Sequence, residues 1–460
     1  MAAWSDYLDQ NQPVFEAELL DFVAIASISA LPAHEQDVKR AAVWVKDKLR
    51  QIGMQNCRLL ETGRHPAVYA DWLHAPGRPT VMIYGHFDVQ PADPLDLWHH
   101  PPFSPVIEND RIVGRGTSDD KGNMLIPVIA LRALLATQGR LPVNIKCLFE
   151  GQEEIGSPQM PELIGNNREL LACDMVLNAD SVQWGPQQPA LILGLRGLAG
   201  LQIDICSAAR DVHSGTFGGT FLNPAHALAG LIAGLHNPDG SVAVAGFYDD
   251  VDPISETEAS FLQQIPFDEN RYMEDLGLKG LWGEKGYSPL QQAWYRPSLD
   301  VNGIWSGFQQ EGLKTIIPAQ AHAKISCRLV PDQDPQQIRS LLRRHLEDSC
   351  PGQVDMTVTE FESIALPYRV AHDHPGNLAA ARVLTEIYRR PPLYIRMGFS
   401  VPVCGWFLKY LGAHTIGFGF GLDDECIHAP NEFFRLSSFR KGQRAWCLML
   451  HELAGCQMGG

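Results

Sequence analysis

Short apolar segments that each end in acidic or histidine residues alternate with helix-like segments along this chain, and no other feature constrains the fold as strongly. Thr80 to Tyr84 reads as a buried strand ending at Gly85, Val143 to Phe149 as a second and Met175 to Asn178 as a third. Between and before them, Gln36 to Ile52 has helical periodicity, with Val38, Ala41, Ala42, Val45 and Leu49 on one face, and Gly122 to Gln138 is a long apolar helix. Such alternation predicts an α/β layer fold around a largely parallel sheet.

The texture changes near Gly197. A strand at Leu198 to Cys206 precedes an Ala/Leu-rich helix at Pro224 to His236, and a Pro-, Gly- and Trp-rich stretch then runs to about Pro318. Beyond it come a strand (Ala321 to Val330), a helix (Pro335 to Glu347) and a strand (Val354 to Glu362), which together read as an α+β sandwich. The earlier pattern resumes with a helix at Gly376 to Tyr388, a strand at His414 to Phe420 and a final helix near Ser437 to Ala454. A chain of 460 residues exceeds what one core normally serves. The expected organisation is therefore a domain formed by residues 1–195 and 370–460, with residues 196–369 inserted into it.

Composition narrows the partners. A formal net charge of −16 argues against nucleic acid, which needs a basic face. No apolar run reaches the roughly 18 residues of a membrane span, and the acidic, amphipathic N-terminal segment is unlike a secretory signal. The ten cysteines include no CxxC pair, and Cys147, Cys206 and Cys327 sit inside strand-like runs. They read as reduced and structural, which suggests the cytoplasm.

The chemistry lies at the strand ends, where ligands bind in open α/β sheets. YGHFD follows the first strand and carries His86 and Asp88; EGQEE follows the second and carries Glu153 and Glu154. NAD ends in Asp180, GLDDECIH carries His428 after the late strand, and GRGTSDDKG adds Asp119 and Asp120 before the Gly122 helix. Singly, each is an ordinary polar pair, a solvated acidic face or a turn. Together, two histidines and three carboxylates suit zinc or a similar borderline cation. Two divalent ions are balanced in charge by three carboxylates and one bridging hydroxide. That hydroxide would be the nucleophile, and a further carboxylate, one of the adjacent glutamates, would act as general base and acid.

The set GHFDVQP, GRGTSDDKG, EGQEEIGS, NAD and a late His428 resembles the co-catalytic metallopeptidases that include carnosine dipeptidases, carboxypeptidase G, aminoacylase and succinyl-diaminopimelate desuccinylase. The resemblance covers nearly the whole chain, in order. It implies Asp119 as the carboxylate bridging two metal ions, with His86 and Asp180 completing one site and Glu154 and His428 the other. Glu153 would be the general base, Asp88 would bond the second ring nitrogen of His86, and the Asp119–Asp120 peptide would be cis. The inserted domain would be a lid and dimerisation domain of a homodimer. His213, in DVHSGTFGG, would reach the scissile carbonyl across the dimer as an oxyanion stabiliser. Arg328 and Ser400 would bind the substrate, the guanidinium fork taking its carboxylate.

The long insertion, with HSGTFGG and RLVPDQDP, resembles the dipeptidase branch, so dipeptides are the expected substrates. Aminoacylase and N-carbamoyl or N-acyl amino acid amidohydrolase activities are the alternatives. Zinc is the expected metal, with manganese or cobalt next. One departure is MGFSVP, where relatives often carry Gly-Gly-Ser or Gly-Gly-Thr; Phe399 would narrow or reshape the substrate pocket. The rival readings lack their motifs. Ser400 has no G-x-S-x-G elbow, no phosphate-binding G-x-x-x-x-G-K-[ST] occurs, and GFGFG lacks dinucleotide spacing. A metal-free binding homologue would usually have lost a ligand or the base, and here every position is filled.

Overall fold

The computed structural model describes residues 3–456, so the outermost residues of the expected first domain lie outside it. The chain gathers into two compact units, Met1–Leu193 with Val370–Ile395 and Val403–Gly460, and Gly194–Arg369 with Arg396–Pro402. The short Arg396–Pro402 segment, which contains Phe399 and Ser400, thus groups with the second unit.

The first unit is built on a six-stranded sheet in the order Gln55–Leu60, Ala67–Trp72, Asn144–Glu150, Thr80–His86, Met175–Asn178, His414–Gly417. The last four of these run parallel, with Tyr84 beside Leu148 and Asn178, and Asn178 beside Gly417. Their carboxyl ends therefore share one edge. The central strands are buried along almost their whole length because both faces are covered, and their middles are apolar apart from Lys146. Helix Asn123–Gln138 is buried on nearly every side of its first three turns, since helices Ala3–Val23 and Leu436–Leu453 pack on it. It ends where Gly139 turns left-handed and donates its amide to Leu135. Helix Glu35–Gln51, amphipathic as its spacing predicts, covers the two antiparallel strands. The α/β class with a mostly parallel sheet is the one expected.

The second unit holds a four-stranded antiparallel sheet in the order Ser298–Ser306, Gln320–Leu329, Gly197–Cys206, Asp355–Glu360. Alternate residues Ala199, Leu201, Ile203 and Ile205 face Ala321, Ala323, Ile325 and Cys327 in one core with helices Pro224–Ala233 and Pro335–Ser349. Both helices start at a capping side chain followed by proline, Asn223 accepting from the Ala225 amide and Asp334 from those of Gln336 and Gln337. Among the described residues no helix is long and apolar enough to cross a membrane.

Candidate metal centre

Parallel strands deliver most of the expected residues to one edge. His86 is the last residue of its strand, and its amide donates to Asp120 Oδ2 at 3.0 Å. Glu153 and Glu154 sit in a single 3-10 turn just past Glu150, and Asp180 follows Asn178, whose side chain holds both its amide and its carbonyl. Asp119 lies in a non-helical kink before the Asn123 helix, and its peptide to Asp120 is cis, as the resemblance implies. His428 takes a left-handed φ of 61° in the loop after the last parallel strand.

Two triads result, and they share Asp119. His86 Nε2 lies 2.9 Å from Asp119 Oδ1 and 3.9 Å from Asp180 Oδ2. His428 Nε2 lies 2.9 Å from Asp119 Oδ2 and 3.1 Å from Glu154 Oε2. In each triad one ligand atom per residue falls within 4.8 Å of the others. Ligands at about 2.0–2.1 Å from a tetrahedral ion stand about 3.3 Å apart, so both donor sets fit a divalent cation. The two oxygens of Asp119 point one to each histidine, as a bridging carboxylate requires.

The electrostatics agree with a cluster built for added positive charge. Burial, reinforced by Asp119, pushes Asp180 up to about 6 and Glu154 up to about 7. Burial likewise pushes Glu153 well above the carboxylate range, with Asp180, Glu154 and Asp119 adding to it. Burial also works against ionised Asp119, but hydrogen bonds from His428 and His86 outweigh it and hold that carboxyl low. Hydrogen bonds to Asp119 and Glu154 raise half-exposed His428 to about 10.

Asp88 does more than expected. His86 Nδ1 lies 3.1 Å from the Asp88 carbonyl and 3.4 Å from its Oδ1, so backbone and carboxylate share that nitrogen. The same carboxylate accepts the Glu153 and Glu154 amides, each at 3.1 Å, which ties the acidic turn to the histidine loop. The remaining expected residues belong to the second unit. There Arg328 Nη1 donates to Ser400 Oγ at 3.1 Å, although 72 residues separate them. His213 is exposed, and its Nδ1 accepts the Gly215 amide at 3.0 Å.

Several residues around the centre escaped the sequence reading. Gln90 donates its amide to Glu154 Oε1 at 3.1 Å and its side chain to Oε2 at 2.8 Å. Glu432 and Glu425, both fully buried, accept from the segment that presents Asp119. Only the nearness of Glu432 to His428 in the sequence hinted at a role, for their partners lie more than 300 residues away.

The fold and the two triads define a class, metal-binding hydrolases built on a mostly parallel α/β sheet. The model of peptidase family M20/M25/M40 matches residues 82–452, and the chain belongs to that family. Its relatives include human Beta-Ala-His dipeptidase, 29% identical over 97% of this chain and 92% of that protein. Another is the Cys-Gly metallodipeptidase dug1 of Schizosaccharomyces pombe, 30% identical over 98% of this chain and 97% of that protein. Among solved structures, human carnosine dipeptidase 1 superposes with a TM-score of 0.82 at 29% identity, covering 98% of each chain. An M20 family metallo-carboxypeptidase from Sulfolobus solfataricus gives 0.87 at 31%, covering 96% of this chain and 99% of that one. The protein is a metallopeptidase of the dipeptidase branch.

Proposed function

We propose that the protein hydrolyses the amide bond of dipeptides, or similar small peptides with a free carboxylate. The observation that carries this reading is the pair of triads sharing Asp119, with Glu153 held beside them by Asp88. The dipeptides named for its human and fission-yeast relatives support the substrate class. His86, Asp119 and Asp180 would hold one divalent ion, and Asp119, Glu154 and His428 a second. Zinc suits this donor set best, then manganese or cobalt. Such ions supply charge that polarises a carbonyl and acidifies water near neutral pH.

The chain's own residues do the rest. Glu153 takes a proton from the attacking water and returns it to the leaving amine, a task suited to a carboxyl that burial has raised. Arg328 keeps further guanidinium donors beside the one on Ser400, and with Ser400 it forms the seat of the substrate carboxylate. The second unit serves as lid and dimerisation domain of a homodimer, and His213 stabilises the oxyanion across it. All ten cysteines are unpaired, which supports a cytoplasmic setting.

The test is a panel of dipeptides, N-acetyl amino acids and N-carbamoyl amino acids, offered to the chain loaded with zinc, manganese or cobalt. Dipeptides should turn over, and Glu153→Ala should keep its metal while losing about 10²–10⁴ in kcat. Turnover of the acylated compounds alone would transfer the assignment to an amidohydrolase. No hydrolysis with any metal would leave a binding homologue.

A further inference from the structure

Buried behind the triads lies an ion pair that none of the proposed chemistry uses. Glu432 is fully buried, and its carboxylate accepts four hydrogen bonds from one short segment. Oε2 takes the Arg115 guanidinium at 2.7 Å and the Gly116 amide at 2.8 Å; Oε1 takes the amides of Ser118 at 2.9 Å and of Asp119 itself at 3.1 Å. Arg115, 1% exposed, reaches on through Nη2 to the Pro91 carbonyl at 3.3 Å. The neighbour of Pro91 is Gln90, whose amide and side chain hold both oxygens of Glu154. Glu432 itself lies four residues beyond His428 on the same loop. One buried pair therefore ties together the segments that carry Asp119, Gln90 and His428, and reaches Glu154 through Gln90.

We propose that Glu432, locked to Arg115, is a positioning residue that sets metal affinity by fixing the shared carboxylate of Asp119 relative to His428 and Glu154. The inference rests on the ligand assignment proposed above. A carboxylate is needed because each oxygen accepts two bonds; a glutamine of equal size has one acceptor oxygen and turns two donors toward donors. The loop would then keep its covalent path but lose the registry of Asp119, and both triads would loosen because both include it. A buried pair serving stability alone would lower the melting point and leave the affinity of the folded protein unchanged.

The experiment strips metal from the full-length wild type and Glu432→Gln with a chelator. Cobalt and zinc are then titrated back against a chromophoric competitor at a temperature where circular dichroism shows both proteins folded. Groups that orient metal ligands typically contribute about 10–100-fold in affinity, and Glu432→Gln should lose that much, with an altered cobalt absorption spectrum. A loss below about fivefold in the folded variant would overturn the proposal, because it falls short of the range such groups show. Should Glu432→Gln not fold, Arg115→Lys carries the same test at the same threshold, since an ammonium keeps the charge but cannot span Glu432 and Pro91. Failure of the wild type itself to bind cobalt or zinc would overturn the ligand assignment and, with it, this role.

Discussion

Glu150 shows how much the surroundings of the triads cost at the scale of one side chain. It is fully buried at the end of its strand, and its Oε1 accepts from Tyr84 at 2.7 Å and Ser157 at 3.0 Å, while Oε2 has no partner among the described residues. Burial raises the carboxyl from the usual 4.5 to about 8, with Asp88 adding to it. The folded chain thus holds this proton more tightly than the unfolded one. Its contribution to stability is complete below 4.5 and is lost as the pH rises through 8. One such proton adds a slope of up to about 1.4 kcal/mol per pH unit inside that window. Glu150→Gln keeps an acceptor for Tyr84 but cannot titrate, so the metal-free variant should lose stability more slowly than wild type between pH 5 and 8. Urea unfolding at several pH values measures this; parallel curves for the two proteins would refute it.

At the scale of an element, the strand Thr80–His86 works only because it ends in a glycine next to its histidine. A Cβ on Gly85 would stand 2.7 Å from Asp120 Oδ2 and 2.8 Å from Met124 Cγ. Since that same Oδ2 accepts the His86 amide, Gly85→Ala must displace the group that holds the histidine backbone. The expected loss is about 1–3 kcal/mol, accompanied by weaker metal retention. Gly230→Ala, in helix Pro224–Ala233 with open space around it, should instead be neutral or slightly stabilising. Denaturant midpoints and metal content read both, and a Gly85→Ala protein matching wild type in each would refute the steric account.

The elements most legible in the sequence were those with strong local signals. The strand at Met175 to Asn178 has the bounds read from sequence, and the apolar Thr80 and Val143 runs are the central strands. Ala67–Trp72 escaped notice because Asp71 interrupts its apolar run, although Asn56 and Tyr69 bond that carboxylate. Ser298–Ser306 was hidden in the Pro- and Trp-rich stretch, being a half-exposed edge strand with a register shift before Gly303. The candidate donors were legible because His86, Glu154 and Asp180 stand at or just past the ends of apolar strands, and the motifs around Asp119 and His428 supplied the rest. The Arg115–Glu432 clasp was not, because its members meet only after folding and neither lies in a periodic segment.

At the scale of the whole molecule, the proposed role of His213 requires two chains to complete a site. His213 precedes the short helix Ser214–Phe217 and accepts the Gly215 amide on Nδ1, so in the neutral ring Nε2 carries the proton and is the donor. An exposed N–H donor is what oxyanion stabilisation asks of it, and a homodimer that shares this residue predicts complementation between two crippled chains. His213→Ala and Glu153→Ala should each be nearly inactive alone. Unfolded together in equal amounts and refolded, they should give heterodimers as about half of the population. In each heterodimer the site with native Glu153 faces the subunit with native His213, whereas the other site lacks both. About one quarter of wild-type activity should therefore return. If His213 acts within its own chain, no site in the mixture regains both residues, and activity should stay at the level of the separate variants. Light scattering on the same mixture checks that dimers formed, so a silent mixture of dimers would place His213 in its own subunit's site.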